Sequence, residues 1–219
     1  MRSSDRGFAA PAAALCGLTY LVGLGLYATI FAGTDLDAAG IPSIRTIAFI
    51  VTHSGALRLW YFTIYVVNGL ALLMLVLALA EREAPLWRHW VAGIGFVWAA
   101  LVIASGLVAV VALAGLPEIY RTAPSDAARH WHIATSLIEG IGGGTELLGA
   151  LWILGVAAGQ PLSQPQKALA VVIGTAGLLT LHPAFAEVGG AVFGIGFMVL
   201  FFWMAVALWP QPNCRLQRT

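Results

Sequence analysis

Charge is scarce in this chain of 219 residues: 10% are Asp, Glu, Lys or Arg, where a soluble globular domain carries about 25%. Apolar residues make up 60%, above the roughly 45–50% of soluble domains, and the two together exclude an ordinary water-soluble enzyme and a disordered chain. Lysine is almost missing. Its sole instance, Lys167, precedes an apolar run rather than sitting within one, which argues against a retinal Schiff base. A formal net charge of +1 offers no basic surface to nucleic acid. Cysteine is nearly absent as well: Cys16 lies in the first apolar run and Cys214 in a polar tail, so neither a disulfide framework nor a cysteine metal site is indicated. Leu15 precedes Cys16, where signal cleavage wants a small residue, so the first run reads as a retained signal anchor. There is no Walker loop, dinucleotide fingerprint, Gly-x-Ser-x-Gly elbow or paired-histidine zinc helix. Soluble-type catalysis has no support, and the reading leans away from an enzyme.

What is present is a series of long apolar runs. About 20 residues are needed to cross the hydrocarbon core as a helix, and residues 12–31, 59–80, 90–113, 133–157 and 188–209 meet that length. A sixth run, 168–181, is short and must be extended to 186 or end inside the membrane. The expected architecture is therefore all-α: a polytopic membrane protein with six transmembrane helices forming one domain over residues 1–219.

Orientation follows from the basic residues in the short connections. One side carries Arg2, Arg6, Arg82, Arg88, Lys167, Arg215 and Arg218, the other Arg45, Arg58, Arg121 and Arg129, which puts both termini in the cytoplasm and the protein in a bacterial inner membrane. Trp60, Tyr61, Trp87, Trp90, Trp131 and Trp209 fall near span ends, where amphipathic rings favour the interface.

Three outer connections follow from this topology. The first, 33–58, holds Asp35, Asp37 and Pro42 before the apolar segment 44–51, which lies on the surface or extends the second helix. The second, 116–130, with Pro117, Pro124 and mixed charges, reads as an exposed loop. The third, 183–187, is a tight turn or a segment dipping into the bilayer. Val91-Ala92-Gly93-Ile94-Gly95-Phe96 echoes Val192-Phe193-Gly194-Ile195-Gly196-Phe197; separate use of glycine for close helix contact explains this better than an inverted repeat.

The sharpest polar feature is in the fourth span. His132, Glu139 and Glu146 are seven apart, so on an unbroken helix they share one face. Glutamate has no long stem with which to reach an interface, and at such depth a carboxyl costs a few kcal/mol if charged and by default marks an ion, proton or substrate path. Gly142, Gly143 and Gly144 interrupt this stripe. Each costs about 1 kcal/mol relative to alanine in a helix, and tight packing in lipid is preferred here to an unwound point.

Outside that stripe, His182-Pro183 and Glu187 set two ionisable groups near the outer surface. Tyr61, Tyr65 and Asn68 lie on one face of the second span and are the expected partners of Glu139 or Glu146, with Arg58 one turn above Tyr61 or Tyr65. The expected ligand- or proton-binding set is Glu139, Glu146, His132, His182, Glu187, Tyr65 and Asn68. His53, His130, His132 and His182 fall on the outer side and are the candidates for a metal, haem or pigment, although no cofactor is predicted.

In its six spans, the run Val172-Ile173-Gly174-Thr175-Ala176-Gly177-Leu178-Leu179 and a closing span with Phe193-Gly194 and Trp203, the chain resembles the bacterial six-helix membrane proteins grouped as domain of unknown function 4386. That resemblance implies a fold and no activity. Three readings stand: an intramembrane site that binds or moves a small solute or proton; a structural or accessory subunit that packs, through its many small residues, against other membrane subunits, itself or lipid; and an outer-face metal- or pigment-binding protein.

Overall fold

The computed structural model describes residues 8–31, 40–81, 85–143, 146–160 and 162–209. Asp35, Asp37, Arg2, Arg6, Arg82, Gly144, Arg215, Arg218 and Cys214, on which parts of the sequence reading rest, lie outside them. Among the described residues the protein is all-helical. The α-helices are α1 (Ala9–Leu26), α2 (Ile44–Thr52), α3 (Ser54–Tyr61), α4 (Asn68–Ala80), α5 (Pro85–Thr122), α6 (Pro124–Ile138), α7 (Leu147–Gly159), α8 (Gln164–Leu179) and α9 (Ala186–Leu208). Wider π turns follow α1 (Tyr27–Phe31), join α3 to α4 (Phe62–Val67) and follow α6 (Glu139–Gly143). Five stretches are long and apolar enough to cross a membrane: Ala9–Thr29, Ser54–Ala80, Trp87–Thr122, Pro124–Gly159 and Pro183–Leu208. The sixth expected span corresponds to α8, whose 16 residues cover about 24 Å at 1.5 Å per residue.

Six elements close into a ring: α1 packs on α4 and α9, α5 on α4 and α7, and α8 on α7 and α9. Neighbours run antiparallel. Asn68 reaches Thr19 while Trp60 reaches Gly23, and Gly17 abuts Phe202 while Tyr20 meets Gly194. Ala9 and Leu208 therefore lie at the same end of the bundle. Missing side chains make the close approaches: a Cβ on Gly69 would stand 2.5 Å from Ile103 Cγ1, one on Gly149 2.7 Å from Trp98 Cζ2, and one on Gly189 2.8 Å from the Ala176 carbonyl oxygen. In lipid, where apolar burial drives little, such contacts hold helices together. Gly95 and Gly196 of the two similar hexapeptides do the same work against Val76 and Ile173.

One half of the bundle is filled by aromatic rings. Trp98, Trp152, Phe193, Phe197 and Phe201 form a continuous stack, with centroid separations of 5.5 Å (Trp98–Trp152), 5.3 Å (Trp98–Phe197), 4.7 Å (Phe193–Phe197) and 5.0 Å (Phe197–Phe201). Leu72, Leu75 and Cys16 pack into the same core.

The second outer connection is not a loop. Helix α5 runs through Pro117 to Thr122, and α6 starts at Pro124 with Ala123 alone between them. Proline is tolerated at the first helical position, where its missing N–H is no loss. This hairpin has its own core: Leu113, Leu116, Ala127, Ala128 and Trp131 are buried with Ile47 and Ile50 of α2 and Leu57 of α3. Segment 44–51 thus becomes a separate helix, α2, capped by Ser43, whose Oγ accepts the Thr46 N–H at 3.1 Å. At 38 residues, α5 is about 57 Å long and outruns the about 30 Å hydrocarbon core. The third connection is a tight 3₁₀ turn, Pro183–Phe185, with all three residues exposed.

Candidate functional site

The fourth span is broken. Gly142 adopts φ 150° and ψ 13°, a conformation open to glycine and rarely to other residues, and α7 starts afresh after Glu146. At Gly142 the helix is unwound, where tight helix packing was expected of the glycines. Side chains from two elements bond the backbone on either side of the break. Thr180, at the end of α8, accepts the Glu146 N–H on its hydroxyl oxygen at 3.1 Å and donates its own proton to the Gly177 carbonyl at 2.7 Å. Ser105, buried on α5, donates to the Ile138 carbonyl at 3.2 Å. Irregular backbone at membrane depth is tolerated where it is buried in protein or lines a cavity, and here it does both.

The break delivers Glu146 to a cavity of about 480 Å³ bounded by α1, the α3–α4 span, α5 and α9. A volume of this size falls within the about 300–1,000 Å³ of small-molecule sites. All three π turns contribute to its wall, through Tyr27, through Ile64 and Tyr65, and through Gly142. Such turns occur frequently at functional sites. Of the aromatic stack, Trp98 lines the cavity. No described residue makes a hydrogen bond or ion pair with the Glu146 carboxyl, and Glu146 is partly exposed and lines the cavity.

Of the seven expected residues, Glu146, Tyr65 and Asn68 come together here. Asn68 does not bond Glu146, as expected of it, but α1: its Nδ2 donates to Thr19 Oγ1 at 2.7 Å and lies 3.4 Å from the Cys16 carbonyl oxygen. Tyr65 stacks on Tyr61 at 5.8 Å. Glu139 stands exposed at the head of the π turn, because the break at Gly142 separates its face from that of Glu146. His132 is half-buried on α6, with its carbonyl taken by Thr135 and Ser136. His182 is exposed and accepts the Ala184 N–H on Nδ1 at 3.2 Å, and Glu187 is exposed in the first turn of α9. Arg58 makes no ion pair among the described residues, whose two pairs, Glu118–Arg121 and Asp126–Arg129, are local and exposed.

The candidate metal ligands do not converge. His53 turns back on its own helix, with Nδ1 donating to the Phe49 carbonyl at 2.9 Å, while His130 and His132 sit on α6 and His182 beyond α8. Among the described residues no group of three or more His, Cys, Asp or Glu could hold a metal ion.

Sequence reasoning missed Tyr20, Tyr27, Trp60 and Trp98 as cavity residues, and the Thr180 hydroxyl that holds the break. Tyr20 and Tyr27 carried a signal, being seven apart in the first apolar run and so on one face of a continuous helix. Trp60 carried none, because its place depends on the N–H it donates to the Gly23 carbonyl at 3.1 Å. The site that results is one carboxyl with tyrosine hydroxyls and an amide in an aromatic setting. It can hold a proton, or orient a solute by charge and hydrogen bonds. Comparison with family models, with curated proteins and with solved structures finds no match to this chain.

Proposed function

We propose that the protein is a six-span protein of a bacterial inner membrane, cytoplasmic at both ends, that binds or moves a small solute or proton at the Glu146 cavity. The observation that carries this reading is the break at Gly142, beyond which Glu146 lines a cavity with no described residue bonded to its carboxyl. A carboxyl with a purely structural role would be bonded to a neighbouring helix; Glu146 is not so bonded by any described residue. The place of α8 in the ring, the shared end of Ala9 and Leu208 and the seven-to-four split of basic residues support six spans with termini on one side. Membership of the six-helix family resembled above is part of the same proposal.

The test uses purified protein in nanodiscs and in vesicles. Solutes of each charge type are screened by thermal stabilisation, which a ligand at a hundred times its Kd raises by about 2.7 kcal/mol. An internal pH dye follows proton movement in the vesicles. We expect at least one response that Glu146→Gln abolishes and Glu139→Gln leaves intact. A folded Glu146→Gln protein that matches wild type in both assays overturns the proposal. The accessory-subunit alternative predicts instead a stoichiometric partner that survives purification in mild detergent.

A further inference from the structure

We infer that the Glu146 cavity takes a lipophilic organic cation, admitted from the bilayer between α1 and α9. This rests on the reading of the cavity as a binding site and adds the class of its ligand. Glu146 is the only residue with an ordinarily charged side chain among the described residues lining the cavity, and no basic side chain lines it. A neutral hydrocarbon would offer that carboxyl no polar partner, which is unfavourable for a buried polar group. A small inorganic cation such as Ca²⁺ needs about six or more oxygen ligands, and among the described residues no three His, Cys, Asp or Glu side chains gather to supply them.

The wall that Glu146 shares is rich in aromatic residues: Tyr20, Tyr27, Trp60, Tyr65 and Trp98 all line the cavity. Ring faces attract a cation within about 6 Å of the centroid, and more strongly when it has shed its water. An organic cation, with charge spread beneath an apolar shell, meets both the carboxyl and the rings without needing a hydration shell. At about 480 Å³ the cavity suits a molecule of drug size.

The walls differ in how tightly they close. Between α1 and the π turn that joins α3 to α4 the wall is closely packed, since a Cβ on Gly23 would stand 2.7 Å from Ile64 Cγ2. Towards α9 the cavity is bounded by residues that also face outward: Leu24 is 44% exposed, Tyr27 38% and Ile195 52%. Gly190 lies in the same wall, and a Cβ there would meet nothing within 4 Å. These outward faces belong to two membrane-length helices, so the surrounding phase is lipid and the ligand must partition into it.

Equilibrium dialysis of radiolabelled tetraphenylphosphonium against the protein in nanodiscs tests the inference, with triphenylphosphine oxide as a neutral competitor of similar shape. Saturable binding at one site is expected, weakened about ten- to a hundredfold in Glu146→Gln and largely kept in Glu146→Asp. The neutral oxide should compete at least about tenfold more weakly. Gly190→Trp, which narrows the outward wall, should slow association and leave Glu146 in place. No saturable binding of the cation, or an oxide that binds as tightly as the cation while still depending on Glu146, overturns the inference; in the second case the cavity reading survives. Binding indifferent to Glu146→Gln overturns both. Should Glu146→Gln fail to fold, the cation-to-oxide ratio on wild type and the Asp variant still decide.

Discussion

Gly142→Ala isolates what the broken helix contributes. A Cβ at this position would lie 3.5 Å from Leu101 Cβ, an ordinary contact, so the effect is conformational and not steric. Holding a residue other than glycine at φ 150° costs about 1–3 kcal/mol. The same substitution favours a continuous helix by about 1 kcal/mol. The balance between broken and unbroken forms therefore shifts by about 2–4 kcal/mol, or about 30- to 900-fold. In the unbroken form Glu146 returns to within about 20° of the Glu139 face, outside the cavity, and its N–H leaves Thr180. If the break persists in the variant, the strain appears as a lowered unfolding midpoint; if it heals, it appears as lost affinity for tetraphenylphosphonium. SDS titration of the purified protein reads the first and equilibrium dialysis the second. Gly140→Ala is the control, because Gly140 has open space and no positive φ, and it should melt at or slightly above wild type. A Gly142→Ala protein that tracks Gly140→Ala in both assays refutes the reasoning.

Two further substitutions probe how the ring is held. Gly189→Ala drives a Cβ to 2.8 Å from the Ala176 carbonyl oxygen, a backbone atom that cannot rotate away, and should cost about 1–3 kcal/mol by thermal unfolding, while Gly190→Ala, into open space, should be neutral. Asn68→Ala removes the bond to Thr19 and should cost about 0.6–1.7 kcal/mol; a cycle with Thr19→Val should show coupling, and strict additivity would count against the bond.

The helices were legible because period and length are local properties. Five runs long enough to span needed no tertiary information, and the structure places helices over all five. The hairpin of α5 and α6 was not legible, for the opposite reason. Pro117, Pro124 and four nearby charges have the composition of a loop, and the segment is helical because α2 and α3 give Leu113, Leu116 and Trp131 something to pack against. Glu118–Arg121 and Asp126–Arg129 are spaced i,i+3, so the charges that suggested a loop are arranged as on helix surfaces.

The carboxyl stripe shows why the site was half read. Seven-residue spacing joins Glu139 to Glu146 only if the helix between them is continuous, and three glycines between them are compatible with either a tight contact or a break. Local propensity could not decide, since the roughly 3 kcal/mol that three glycines cost is within what interhelical bonds can offset. The deciding groups are Thr180 and Ser105, 34 and 33 positions from the backbone atoms they bond, and no local pattern connects them. The cavity aromatics have the same character: Tyr20, Trp60 and Trp98 come from three different spans, Trp60 read only as an interface ring and the other two unremarked, and are gathered only when the ring closes. The glycines follow the same rule. Gly23, Gly149 and Gly189 seat a neighbouring helix, Gly142 breaks its own, and Gly190 opens a wall. Identical residues thus set where the bundle is tight and where it admits a ligand, according to what faces them across the interface.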